Sequence, residues 1–268
     1  MAFPGTGRRV ALTLFAIGAL LLHLTRQGGS PRQLCFIVPL RGRDLQADVF
    51  RTFLRGRLEQ EKSKYKLVFV RQTFDESFNR GMLINLGFLF LKGKYTCSYI
   101  YLHDVDMLPH SVLRYSPNMS ESCAGCVRHL AANASQFNYR LPYPLYFSGI
   151  LGMHPLVFYR LGGFSNQFWG WGAEDDDFRG RLMHLGGRII QPTNGWVLSI
   201  AEGHTQRDMS NSKTNKQLLR NESIRRKRRG NDLEVLRSVL RKSKHSWEIK
   251  SIDENTVRLT CRLRKYMF

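Results

Sequence analysis

The chain has 268 residues, and its 41 Lys and Arg against 21 Asp and Glu give a formal charge of +20. Hydrophobic residues make up 43% and aromatic residues 12%, enough to bury a substantial core, which excludes a wholly disordered basic tail. Five cysteines are too few for a disulfide-dense scaffold, and the charge alone describes attraction to polyanions rather than a function.

In chain order, Arg8 and Arg9 precede an apolar stretch from Val10 to Leu24, which breaks at a polar run ending in Pro31. A spanning helix needs about 20 apolar residues. This one is short, so an uncleaved signal anchor, a cleaved signal peptide and a buried core helix all stand as readings. The basic pair before it favours a cytosolic N-terminus and a lumenal remainder. We read 1–9 as a cytosolic tail, 10–24 as a signal anchor, 25–33 as a short stem and 34–268 as one lumenal domain. Asn118, Asn133 and Asn221 each open an Asn-x-Ser triplet, the glycosylation acceptor of a lumenal chain.

Within the body, Cys35 to Pro39 is an apolar run that reads as a first strand stopped by proline. Asp44 to Lys64 reads as a helix with Val49, Phe50, Phe53, Leu54 and Leu58 as its buried stripe. Lys66 to Val70 reads as a second strand, Asn79 to Leu91 as a second helix, and Tyr99 to Leu102 as a third strand. Strand and helix in alternation predict an α/β fold, with a mostly parallel sheet and a ligand crevice beyond its strand ends. Tyr115 to Arg140 carries no clear period and reads as a loop-rich connection. Residues 205–230, polar and basic, read as a mobile loop.

Two acidic motifs carry the chemical signal. Asp104-Val105-Asp106 follows the third strand directly, where an extended backbone would point both carboxylates the same way. Such a pair calls for a cation, and hard oxygen ligands suit magnesium or manganese bridged to substrate phosphates. Phe168-Trp-Gly-Trp-Gly-Ala-Glu-Asp-Asp-Asp177 combines glycines, two indoles and four carboxylates. Indoles stack on sugar rings, carboxylates accept hydroxyl protons, and the same acids also suit a helix N-terminus.

Together with Pro39-Leu-Arg-Gly-Arg43, Phe78-Asn-Arg80, Leu102-His-Asp-Val-Asp-Met-Leu-Pro109, Tyr146-Phe-Ser-Gly-Ile-Leu151, Gly187-Arg188-Ile-Ile-Gln-Pro192 and His204, these motifs resemble the β-1,4-galactosyltransferases in their order. The resemblance spans roughly Cys35 to Asp208 and looks closest to the xylosylprotein branch, which builds the proteoglycan linker. It implies a GT-A fold, UDP-galactose as donor, manganese as cofactor, inversion at the anomeric carbon, and a single-pass type II Golgi membrane protein. By position Pro39, Arg41, Arg43, Phe78, Arg80, Asp104 and Val105 match donor-binding residues, and Asp106 and His204 match metal ligands. Asp175 matches the catalytic base, and Trp171 lies between donor and acceptor. Tyr143, Tyr146, Glu174 and Asp176 complete the implied acceptor side.

The match is incomplete. Ala201 stands where some members place a metal-binding Met, and Gln206 where the xylosylprotein branch has a second His. Gly230-Asn-Asp-Leu233 is a reduced form of a family segment, and Leu40 replaces the usual Phe. The acceptor is therefore expected to be a xylose-terminated proteoglycan core, with N-acetylglucosamine or another sugar as the alternative. A weakly active sugar-binding relative and a basic polyanion-binding protein are the other readings. Arg225 to Arg229 reads as a solvated loop, or as contact with an acidic core protein or membrane surface; no nucleic-acid partner is expected in a lumen. A disulfide from Cys97 to Cys123 or Cys126 is expected, with Cys35 and Cys261 unassigned. His154 and His184, among apolar neighbours, read as satisfied structural histidines.

Overall fold

The structure, a computed structural model, describes residues 33–73, 76–118, 120–121, 123, 125–200, 208–221, 231–242 and 247–262. The expected anchor at 10–24 lies outside them; among the described residues no helix is long and apolar enough to cross a membrane. An apolar run buried from Leu34 onward forms β1 (Gln33–Leu40). It is followed by α1 (Asp44–Gln60), β2 (Lys64–Gln72), α2 (Arg80–Lys94) and β3 (Tyr99–His103). β1 pairs in parallel with β2 on one side and β3 on the other, so the winding reverses at β1 and a crevice opens beyond its end. β1 runs through Pro39 to Leu40 instead of stopping there. Its ladder with β3 ends at Ile37 opposite Leu102, so Pro39 has only β2 beside it and the missing N–H is tolerated.

The remaining elements are β4 (Met107–Pro109), β5 (Cys126–His129), β6 (Ile150–Met153), α3 (Pro155–Arg160), α4 (Glu174–His184) and β7 (Arg188–Ile190). Then come β8 (Val197–Ser199), α5 (Ser212–Arg220), α6 (Asp232–Lys242), β9 (Trp247–Ser251) and β10 (Thr256–Cys261). The eight-stranded sheet has the order β7-β5-β6-β3-β1-β2-β10-β9, and β4 pairs with β8 in a separate ribbon. β6 is antiparallel to both β3 and β5, and β9 to β10, so the sheet is mixed rather than mostly parallel. This reversal matters for the site. Because β6 starts opposite His103, the segment leading into it arrives at the end of β3, where Asp104 begins.

Alternation along β1 and β2 splits the core into two layers. Phe36, Val38, Leu67 and Phe69 meet Phe50, Leu54 and Leu58 of α1; Ile37, Val68 and Val70 meet α2 together with Phe147, Phe158, Phe164 and Phe178. Val49, expected in the α1 stripe, is 50% exposed, and Ala47 takes its place. The stretch read as loop between Tyr115 and Arg140 contains the fully buried β5. Its polar Arg128 is buried because the guanidinium donates to the Tyr101 hydroxyl at 2.5 Å and the Tyr115 carbonyl at 3.1 Å, which hid the strand from an apolar pattern.

Part of 205–230 is likewise ordered, as α5. The buried Asn215 holds it by donating to the Trp169 carbonyl at 3.0 Å. The disulfides are Cys35–Cys97 and Cys123–Cys126, not a bond from Cys97 to the latter pair. Cys35 lies on β1 and Cys97 just before β3, neighbouring strands that bring their Cα atoms to 5.8 Å. Cys261 is free and buried. His154 caps α3 by accepting from Leu156 N–H at 3.2 Å, whereas His184 is exposed in the last turn of α4.

Candidate active site

Arg80, the first residue of α2, is the hub. Its Nε donates to Asp104 Oδ1 and its Nη1 to Asp175 Oδ1, each at 2.8 Å, and Glu174 Oε1 lies 3.9 Å away. One guanidinium thus joins the end of β3 to the start of α4. Buried amides fix its position. Asn79 caps α2 through Met82 N–H and donates to the Asn166 carbonyl, both at 2.9 Å. Asn166 bonds Asn85 and the Asp232 carbonyl, tying α2 to α6. Such a satisfied buried network holds a side chain in one geometry.

Asp104 and Asp106 pair with different arginines among the described residues. The backbone turns after His103, so Asp104 meets Arg80 while Arg43 Nη1 reaches Asp106 Oδ2 at 2.5 Å, with Val105 buried between them. His103 orders this turn. Its Nδ1 donates to the Asp104 carbonyl and its Nε2 accepts from the Tyr115 hydroxyl, both at 2.8 Å, while burial lowers the imidazole pKa to about 4 and keeps it neutral. Arg41 donates to the Glu76 carbonyl at 2.6 Å, Pro39 is buried in β1, and the Phe78 carbonyl accepts from Gly170 N–H at 2.8 Å.

The glycine-rich approach to α4 depends on positive φ at Gly170, Gly172 and Ala173, and a side chain on Gly170 would meet the Asp208 carbonyl. Trp171 emerges 46% exposed. Burial, then the Asp175 charge, pushes the Glu174 carboxyl up to about 8, and Glu174 Oε2 is buried with no hydrogen-bond partner among the described residues. Burial also raises Asp175, against the opposing pull of Arg80 and the Ser148 hydroxyl. Asp176 accepts from the Tyr143 hydroxyl at 3.2 Å, and the Tyr143 and Tyr146 rings lie 5.6 Å apart. Asp177, by contrast, is structural, locked to Arg181 at 2.8 Å.

Between the two acidic motifs, the resemblance gives Tyr143 and Tyr146 an acceptor role but gives none to His129, Ser148 or Gly149. The Gly149 carbonyl accepts from Asp104 N–H at 2.8 Å, and His129 donates through Nε2 to the Ser148 carbonyl at 3.0 Å. Ser148 therefore touches Asp175 while its neighbour holds Asp104. The Tyr-Phe-Ser-Gly motif was visible; the buried His129 behind it gave no signal of its own.

Expected metal ligand His204 lies outside the described residues, as do Ala201 and Gln206. The described chain on either side of them is at the site: Ile200 N–H donates to the Asp106 carbonyl at 2.8 Å, and the Asp208 carbonyl accepts from Trp171 N–H at 2.9 Å. Hydroxyls of Ser210 and Ser77 hold the Asp208 carboxyl below the usual range. Among the described residues no three acidic, His or Cys side chains form a ready metal cage. Asp106, a buried hard oxygen donor beside the Arg43 guanidinium, fits a divalent ion shared with a diphosphate rather than one enclosed by protein.

Of the sequons, Asn118 and Asn221 are exposed, whereas the Asn133 amide nitrogen donates to the Gly195 carbonyl at 3.2 Å.

Comparison with known proteins agrees with this geometry. A profile described as the N-terminal region of glycosyl transferase group 7 matches residues 26–115, and one described as the N-terminal domain of galactosyltransferase matches 128–203. β-1,4-Galactosyltransferase 6 of Rattus norvegicus is 32% identical over 185 residues, covering 68% of this chain and 47% of that one. β-1,4-Galactosyltransferase 2 of Cricetulus griseus is 35% identical over 157 residues, covering 58% and 41%. The chain spans about half the length of these curated relatives. The catalytic domain of Drosophila β-1,4-galactosyltransferase 7, solved with xylobiose, superposes with a TM-score of 0.68 at 26% identity, covering 87% of this chain and 94% of that one. A mutant of that protein, in complex with manganese, UDP-Gal and xylobiose, gives 0.64 at 25% identity. The fold is the GT-A-like α/β fold with a mixed central sheet, and the chain belongs to the β-1,4-galactosyltransferase family.

Proposed function

We propose that the protein transfers galactose from UDP-galactose, in β-1,4 linkage and with inversion, to a xylose-terminated acceptor of the proteoglycan-linker type. The observation that carries this reading is the Arg80 bridge, which joins Asp104 on the donor side to Asp175 on the acceptor side of one crevice. The xylose acceptor is supported by the structural likeness to a protein bound to xylobiose. The reading keeps the catalytic body lumenal, behind the 10–24 anchor, in a Golgi membrane.

In the reaction the acceptor hydroxyl forms a bond to the anomeric carbon as the bond from that carbon to the diphosphate oxygen breaks. Asp175 takes the hydroxyl proton, and its burial makes it a better base than an exposed carboxylate. Arg80 keeps Asp175 oriented and, with Arg41 and Arg43, supplies positive potential for the leaving diphosphate. Manganese, held by Asp106 and His204, would offset the diphosphate charge. The exposed Trp171 indole offers a face to the acceptor ring, and the unpartnered Glu174 Oε2 offers an acceptor for one of its hydroxyls. Tyr146, packed between His129, Phe137 and Tyr143, is a rigid ring suited to exclude a bulky C2 substituent on the donor sugar.

The test assays the full chain with UDP-galactose and manganese on xyloside, N-acetylglucosamine and glucose acceptors. Selective transfer to the xyloside is expected. Transfer to N-acetylglucosamine alone would replace the acceptor, and donor binding without transfer would make the protein a sugar-binding relative. Asp106→Asn should abolish manganese-dependent donor binding in calorimetry, and unchanged affinity would remove Asp106 from the metal site.

A further inference from the structure

A second group of aromatic rings lies beside the crevice, and the transfer chemistry leaves it without a role. Trp196 is 38% and Tyr139 51% exposed. His110 stacks on Trp196 with centroids 4.9 Å apart and planes 30° apart, and Tyr139 meets the indole at 5.9 Å and 76°. The cluster is rigidly tied to the site. His110 N–H donates to the Trp196 carbonyl at 2.9 Å, at one end of the β4–β8 ribbon whose other end carries the Ile200–Asp106 bond.

Tyr139 is presented by unusual backbone. Asn138 and Tyr139 have φ of +52° and +59°, a left-handed pair that is ordinary for the asparagine and uncommon for the tyrosine. Their N–H groups bond the Ser135 and Ala134 carbonyls at 3.0 Å. The same turn places Phe137 edge-on to Tyr146 at 5.2 Å, and Tyr146 leads through Tyr143 to Asp176. The aromatic cluster is thus continuous with the acceptor side of the crevice. Asn138 and Arg140, the chain neighbours of Tyr139, and Asn194, two residues before Trp196, are exposed polar residues.

We infer that Trp196, Tyr139 and His110 form a carbohydrate-binding platform that holds a sugar ring of the acceptor remote from the reacting hydroxyl. Pre-stacked rings with a polar rim match a pyranose, whose C–H face packs on the aromatic and whose hydroxyls seek hydrogen bonds. The inference rests on the reading of the Tyr143–Asp176 side as the acceptor side, and it means that an acceptor carrying a further ring is held more tightly than a single sugar.

The experiment titrates the full chain, by calorimetry without donor, against xylose, xylobiose and xylotetraose, and against the corresponding chito-oligosaccharides. Wild type should bind the tetrasaccharide roughly 3- to 10-fold more tightly than the disaccharide, the range expected of one aromatic stacking contact. Trp196→Ala should erase that gain while leaving monosaccharide affinity unchanged, and Trp196→Phe should restore part of it. Length-independent binding in wild type, or equal losses for short and long sugars in Trp196→Ala, overturns the platform and leaves the proposed reaction standing. A Trp196-dependent gain confined to the chito series keeps the platform and removes the xylose acceptor. Absence of saccharide binding overturns the platform, whereas the proposed reaction falls only if transfer from UDP-galactose to the xyloside fails as well.

Discussion

Residues 33–109 and residues 126–199 contribute to one crevice by different means. The first stretch delivers its polar groups from strand and helix ends, and among its described residues only Gly42 and Lys62 have positive φ. Its side chains meet in ion pairs, Arg43 with Asp106 and Arg80 with Asp104. The second delivers Ser148 and Trp171 from loops, and Glu174 and Asp175 from the start of α4, after backbone that turns through positive φ at Asn138, Tyr139, Gly149, Gly170, Gly172 and Ala173. Regular ladders hold the stretch read as the donor side, whereas close backbone contacts and turns through positive φ hold the stretch read as the acceptor side. Rigidity of the first depends on charge pairing, and that of the second on having no room to relax.

The sharpest way to separate the sides is Asp175→Asn. A general base contributes about 10²–10⁴-fold, so turnover should fall by that order while donor affinity is kept. A variant with near-normal turnover, set beside an inactive Glu174→Gln or Asp176→Asn, would move the base to another carboxylate. Arg80→Ala attacks both sides at once. It strands Asp104 and Asp175 at a nearly buried site, and breaking such pairs costs about 3–5 kcal/mol, read as a lower denaturant midpoint. A loss confined to activity would show that the bridge orients without stabilising.

Gly149→Ala tests the close packing alone. The residue has φ +86°, and a Cβ there would fall 2.5 Å from the Met107 sulfur and 2.8 Å from the Ala131 Cβ. Overpacking of this kind costs about 1–3 kcal/mol. It should also weaken donor binding, because the Gly149 carbonyl holds Asp104 N–H. Unchanged thermal stability would show that the loop is less constrained than its contacts imply.

Glu174→Gln should give the smallest effect, a change of pH slope. The folded carboxyl titrates near 8 against an ordinary 4.5, so its protonated form is the one the fold favours. The stability this contributes is complete below 4.5 and is lost as pH rises through about 8. Wild type should therefore lose stability relative to the glutamine variant across that window. Parallel pH profiles would mean that Glu174 is already ionised in the folded protein.

Local pattern determined the parts of this protein whose causes are local. Short apolar runs set β1, β2 and β3, apolar spacing set α1 and α2, and the acidic motifs fell where strand and helix ends expose them. The ordered motifs were enough to identify the family. The tertiary structure decided what depends on residues far apart in the chain meeting in space. Arg80 joins Asp104 and Asp175 across separations of 24 and 95 residues, and no periodicity encodes which carboxylate a guanidinium will reach. Likewise Cys35 finds Cys97 only because β1 and β3 are neighbours. β5 escaped the pattern because Arg128 and His129 are buried by hydrogen bonds rather than by hydrophobicity. Short-range sterics and burial are written residue by residue, whereas hydrogen-bonded and charged partners are chosen only when the layers close.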